Sequence, residues 1–160
     1  MFEKEKTIVR KWAELMFGGE SSVKEGYALM FADNATWTLI GTTPASGKHV
    51  GLDAIMKNLD RCFQGDGRPG SKDQGLDSEV GVKVTIKDIQ ALEDGRVLML
   101  ASTKAVGNNG LPYNNEYAWI FRVENDRIVD WLEYCDTVCI ETAMFNKRVV
   151  PAEELPAHLR

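Results

Sequence analysis

The chain has 160 residues, 44% of them hydrophobic and 27% charged, with a formal net charge of −5. Such a length and balance fit one soluble domain that buries about two thirds of its unfolded surface. The basic residues are dispersed among acids, so no stripe exists to neutralise a phosphate backbone, which excludes nucleic acid as the expected partner. No apolar run approaches the ~20 residues of a membrane helix. The opening MFEKEKTIVRKW has no signal-type apolar region, and three cysteines without framework spacing fit a reducing, cytoplasmic setting.

In chain order, Ile8, Val9, Trp12, Leu15 and Met16 recur at helical spacing and stop at Gly18-Gly19. A second helix is predicted from Ser22, with Glu25 completing a capping box, and Val23, Tyr27 and Met30 on its apolar side. Asp33-Asn34 reads as its turn, followed by a strand over 35–40 and a loop over 41–51. A third helix starts at Asp53 and buries Ile55, Met56, Leu59, Cys62 and Phe63. The polar segment 65–78 is a long loop, a kind that is either mobile or functional.

From Val80 the period becomes two, with a phase change before Ile89 that predicts a bulge. Three strands follow, over 96–106, 113–124 and 127–136, separated by the hairpin signals Asp94-Gly95, Asn109-Gly110 and Asn125-Asp126. Residues 137–145 predict a short closing helix. Residues 1–150 then form a single domain of α+β class, and 151–160 a surface tail.

The two strands around Asn125-Asp126 are apolar on both faces. Tyr113, Asn115, Tyr117, Trp119 and Phe121 share one side of the first; Trp131, Glu133 and Cys135 share one side of the second. Polar groups among aromatics predict a sheet that covers a core and lines a pocket. Ile120, Arg122, Leu132 and Tyr134 fall on the other side, and a second apolar face predicts a homodimer.

The element order, with FADNATWTLIGTTPASG after the second helix and GLPYNNEYAWIFRVENDRIVDWLEYCDT near the end, resembles the SnoaL-like, ketosteroid-isomerase-related branch of the nuclear transport factor 2-like superfamily. The resemblance implies a cone: three N-terminal helices packed on a strongly bent antiparallel sheet, a short C-terminal helix, and a deep pocket at the wide end. It also implies a range of activities, from isomerases and polyketide cyclases to non-catalytic binding modules. The ketosteroid isomerase base falls at Leu39, which takes no proton, its oxyanion tyrosine at Trp12, and its protonated Asp at Tyr117. Of the limonene epoxide hydrolase set, Glu133 matches the second Asp. The Arg and first Asp fall at Leu100 and Ser102, and the Tyr and Asn at Trp37 and Leu39, so epoxide hydrolysis is disfavoured.

The same alignment directs Trp37, Leu39, Leu100, Ser102, Lys104, Trp119, Cys135 and Trp12 toward the pocket, with Glu133, Tyr117 and Asn115 as catalytic candidates. Glu133, flanked by aromatics, is the expected general acid or base, unless Lys104 neutralises it as a structural ion pair. Tyr117 and Asn115 are expected to hold a carbonyl oxygen jointly, although each equally suits satisfying buried backbone. Asp136, just before a helix, fits a cap better than a catalyst. Cys135 and Cys139 lack a second ligand pair, so neither metal nor cofactor is expected. Two readings follow: a cofactor-independent acid/base enzyme on a small apolar carbonyl compound, of isomerase, cyclase or lyase type, or a non-catalytic small-molecule binding or scaffold domain.

Overall fold

The computed structural model describes residues 2–17, 23–67, 71 and 73–159. Helix α1 (Glu3–Phe17) buries Val9, Trp12 and Ala13, the apolar stripe read from its spacing, and lies across four strands of the sheet. Its predicted Gly18-Gly19 stop, and the Ser22 cap of the next helix, lie outside the described residues. Helix α2 (Val23–Met30) ends earlier than predicted, because strand β1 (Phe31–Leu39) begins at once. Asp33-Asn34 is therefore strand and not turn. The pairing of β1 with β6 shifts register between Phe31 and Thr36, and that irregularity accommodates the two turn-type residues.

Strand β2 (Gly47–Val50) sits where a plain loop is predicted, pairing antiparallel with the end of β1. Helix α3 (Leu52–Gln64) follows, burying Ile55, Leu59 and Cys62 as expected. Strands β3 (Lys83–Ala91), β4 (Val97–Val106), β5 (Pro112–Glu124) and β6 (Arg127–Cys135) form the meander, with the predicted bulge between Ile86 and Asp88. The β5–β6 turn places Asn125 and Asp126 at φ 49° and 62°, the left-handed pair that a two-residue hairpin requires.

The six strands run in the order β2-β1-β6-β5-β4-β3. All pairings are antiparallel except β1 beside β6, which is parallel, a departure from the wholly antiparallel sheet expected. Alternation along the strands divides the sheet into an inner face, met by α1 and α3, and an outer face. The closing segment is one α-turn, α4 (Thr137–Cys139), running into a π-helical turn, Ile140–Met144, that buries Ile140, Ala143 and Met144. Residues 151–159 form two exposed 3-10 turns.

Candidate functional site

Strand register builds the site. In the β5–β6 ladder Tyr117 pairs with Cys135, Trp119 with Glu133 and Phe121 with Trp131, so these side chains stand in three rows on the inner face. The middle row carries Glu133, only 6% exposed. Together with Trp12, Tyr27 and Leu59 from the helices, these rows enclose an inner chamber of ≈ 50 Å³. A second cavity of ≈ 320 Å³, walled by Leu76, Asp77 and Ser78, shares Met16, Phe63 and Val82 with the chamber and forms its vestibule. The segment before β3, predicted as a long loop, thus has a structural task. Its backbone is fixed by Gln74 N and Gly75 N donating to Met144 O, at 2.8 and 3.1 Å, and by Leu76 N donating to Phe63 O at 2.8 Å.

Glu133 dominates the electrostatics. Burial pushes its carboxyl up to about 8 from an ordinary 4.5, and the indoles of Trp37 and Trp119 draw it only part of the way back. Trp37 Nε1 donates to Glu133 Oε2 at 3.1 Å. The expected alternative, an ion pair with Lys104, is not formed: Lys104 stands on the outer face of β4, exposed, in the row of Lys83 and Asn114. Removing a carboxyl from water without a cation is costly, and the group holds its proton instead.

Beside Glu133 lies a chain of hydroxyls. The Asn115 amide nitrogen, which only donates, gives a bond to Tyr113 Oη at 3.2 Å. Tyr113 and Tyr117 share a 2.6 Å bond, and Thr103 Oγ1 donates to Tyr117 Oη over a long 3.5 Å. Either hydroxyl can be the donor in the Tyr113–Tyr117 bond, and where Tyr113 gives the proton, Tyr117 keeps its own for the chamber. Burial raises both phenols above their ordinary range, so they remain donors.

Asn115 itself does not reach a ligand. Its oxygen accepts from Asp136 N at 2.9 Å and from Glu116 N at 2.8 Å, and its nitrogen also donates to Asp136 O at 3.1 Å. The expected oxygen-holding role is corrected to one of positioning: Asn115 ties the end of β6 to the tyrosine pair. Asp136 caps α4, its side chain accepting from Val138 N at 2.9 Å, as the sequence indicated.

Of the predicted pocket residues, Trp12, Tyr117, Trp119 and Glu133 line the chamber. Trp37 and Leu39 stand behind it in the core, and Cys135 is half-buried on the inner face. Leu100 and Ser102 join Lys104 on the outer face, so this part of the expected pocket is corrected by one residue along β4. The inward places belong to Met99, Ala101 and Thr103, all buried. None of these supplies the Arg and Asp of an epoxide hydrolase, so that departure stands after the shift. The charge on Lys104 was the available sign that its row faces outward.

The sequence reading left out Tyr113, Thr103, Trp131 and His49. Trp131 could have been found, since it precedes Glu133 by two and shares its face. His49 could not: it lies on β2, stacks on Trp37 at 5.2 Å, and is held by Ala45 O and the Asn58 amide, both at 3.0 Å.

Other chemistry has less support. Burial pushes the Cys62 thiol up to about 12 and raises Cys135 as well, the reverse of an activated nucleophile. A larger groove of ≈ 520 Å³ lies at the other end of α1, beside Phe2, Arg96 and Arg122. Its charges are exposed, and Arg96 pairs with Asp94 at 2.7 Å. No helix among the described residues is long and apolar enough to cross a membrane.

No protein-family model and no curated protein sequence gives a significant match. Solved structures do. A nuclear transport factor 2-like protein from Burkholderia thailandensis superposes with a TM-score of 0.67 at 18% identity, covering 87% of this chain and 95% of the other. A protein assigned as a SnoaL-like polyketide cyclase from Jannaschia sp. gives 0.65 at 10% identity, covering 91% and 93%. TerC, co-crystallised with polyporic acid, gives 0.62 at 12% identity, covering 88% and 97%. The chain thus has the nuclear transport factor 2-like fold, with helices on a curved six-stranded sheet.

Proposed function

We propose that the chain is a small-molecule pocket protein that acts as a cofactor-independent acid/base enzyme of isomerase, cyclase or lyase type on an uncharged, apolar carbonyl compound. One observation carries this reading. Glu133 is buried with no cation beside it among the described residues, between chamber walls that are mostly aromatic and aliphatic, and burial pushes its carboxyl up to about 8, close to the working pH of a proton carrier. A carboxyl placed there gives no structural gain that Gln or Met would not give more cheaply.

In the ionised form Glu133 takes a proton from the carbon next to the carbonyl. Tyr117 donates a hydrogen bond to the oxygen as charge develops on it, and its own bonds to Tyr113 and Thr103 hold that donor in place. Return of the proton to a second carbon completes an isomerisation; loss of a leaving group instead completes an elimination. Trp37 stabilises the carboxylate half of the cycle through its N–H. A screen of hydrophobic ketones and lactones, followed by Glu133→Gln on any active compound, tests the assignment; unchanged turnover in the variant defeats it.

The alternative, a non-catalytic binding domain, is favoured by the narrowness of the inner chamber, ≈ 50 Å³, which admits only a slender part of a ligand. That TerC was co-crystallised with polyporic acid supports ligand capacity in this fold without deciding between the two. Tight binding with no turnover on any screened compound selects this second reading.

The protein is also proposed to act as a homodimer. Tyr134 and Leu100, 45% and 37% exposed, and the half-buried Ile120 and Leu132 continue one apolar area on the outer face that a second copy would cover. A cytoplasmic setting agrees with three free thiols.

A further inference from the structure

The indole of Trp131 is 3% exposed and lines the inner chamber, yet no group among the described residues accepts a hydrogen bond from its Nε1–H. Such an orphan is costly in a folded protein and calls for an explanation. Its surroundings say which part of the ring the chamber meets. Trp37 stacks on Trp131 at 4.9 Å and 15°, and Phe121 at 6.0 Å and 18°. With its faces engaged by other rings, the indole meets the chamber along an edge.

Register fixes how deep this donor lies. The vestibule meets the chamber near Val82, next to Lys83, which pairs with Lys104 beside the Thr103–Asn115 row. From there the rows run inward: Tyr117 with Cys135, then Trp119 with Glu133, then Phe121 with Trp131. Trp131 therefore lies beyond Glu133 as seen from the entrance, and Tyr117 lies before it. Among the described residues lining chamber and vestibule, the ionisable side chains are the two acids Glu133 and Asp77 and three tyrosines, with no Lys, Arg or His. An anion would meet acids and no counter-charge.

We propose that Trp131 Nε1–H is the floor donor of the chamber, holding an uncharged acceptor atom, a carbonyl, hydroxyl or ether oxygen, at the leading end of the ligand and distinct from the reacting carbonyl that Tyr117 meets. The ligand enters oxygen-first, its slender polar end passes Tyr117 and Glu133, and its apolar body stays against Met16, Phe63 and Leu76. This rests on the proposed small-molecule pocket and adds what the pocket selects: neutral compounds with a terminal acceptor, against carboxylates.

The test uses the full chain and three probes of one shape: 4-phenyl-2-butanone, butylbenzene and 3-phenylpropanoate. The indole resonance of Trp131 is identified in a ¹H–¹⁵N spectrum by its loss in Trp131→Phe, which keeps a ring between Trp37 and Phe121. The ketone should move that proton downfield, and the hydrocarbon should not. Trp131→Phe should weaken the ketone about tenfold and leave butylbenzene unchanged, as for one lost hydrogen bond. The carboxylate should bind at least tenfold more weakly than the ketone. The proposal is overturned by any of three results: no ketone binding at millimolar concentration, a saturated complex with the Trp131 proton unmoved, or a carboxylate bound as tightly as the ketone. If Trp131→Phe does not fold, the wild-type shifts, with the resonance assigned by through-bond experiments, still decide. All of these readouts are of binding, so failure of the acid/base reading, seen as unchanged turnover in Glu133→Gln, leaves them untouched.

Discussion

The two faces of the β5–β6 hairpin use similar residues to opposite ends. Inward, Tyr117, Trp119, Trp131 and Glu133 are buried, and the carboxyl has no cation among the described residues. Outward, Ile120, Leu132 and Tyr134 are joined by polar groups that answer one another: Arg122 pairs in register with Asp130, Asp130 accepts from Thr36, and Lys87 bonds Glu116. Burial alone does not make a site, since the core is full of aromatics. What separates the inner face is a titratable group left without compensation, which a surface seldom shows and a packed core avoids.

The largest expected effect comes from erasing that asymmetry. Glu133→Gln keeps the shape and an oxygen for the Trp37 N–H while removing proton transfer, and should lower turnover about 100-fold or more. Wild-type turnover in steady-state assays would break the catalytic reading. With Glu133 acting as base, turnover should also rise with pH up to about 8 and then level off.

The same substitution changes stability in a pH-dependent way. The folded carboxyl titrates near 8 and the unfolded one near 4.5, so between these values the native state holds a proton that the unfolded chain has released. Its contribution is whole below about pH 4.5 and is lost as pH rises through about 8, at up to ~1.4 kcal/mol per pH unit. Urea denaturation at pH 5 and pH 9 should show this fall in the wild type and a flatter response in Glu133→Gln. Parallel slopes in the two proteins would contradict a buried, uncompensated acid.

How far this contrast could be read from the sequence depended on the kind of signal. Alternation on β5 and β6 groups Tyr117 with Trp119 on one side of its strand and Glu133 with Trp131 on one side of the other, and the alignment turned those sides inward. On β4, both Leu98/Leu100 and Val97/Met99 are apolar, and the alignment chose the wrong side; only Lys104 marked the outward row. Strand β2, GKHV, is short, polar and preceded by turn residues, and it pairs only because β1 offers it an edge. The Trp131 donor and the Tyr113–Tyr117 bond were not legible, since both depend on rotamers.

A smaller effect is expected at the outer face. Placing a charge there, as in Leu100→Asp with Tyr134→Asp, should convert a dimer to the monomer mass in sedimentation experiments while chamber binding persists. A wild-type chain already monomeric at micromolar concentration would remove this prediction. Least of all, Asp136→Ala should cost about 1 kcal/mol through loss of the α4 cap, with little change in turnover. That would separate the capping carboxyl from the buried one three residues earlier.

The central claim is the protonation of Glu133, and it can be read directly. A ¹³C carboxyl titration of the folded protein, with the Glu133 resonance assigned by its absence in Glu133→Gln, should show a midpoint near 8 while exposed carboxyls titrate in the ordinary range. A Glu133 midpoint at or below 4.5 would contradict the account.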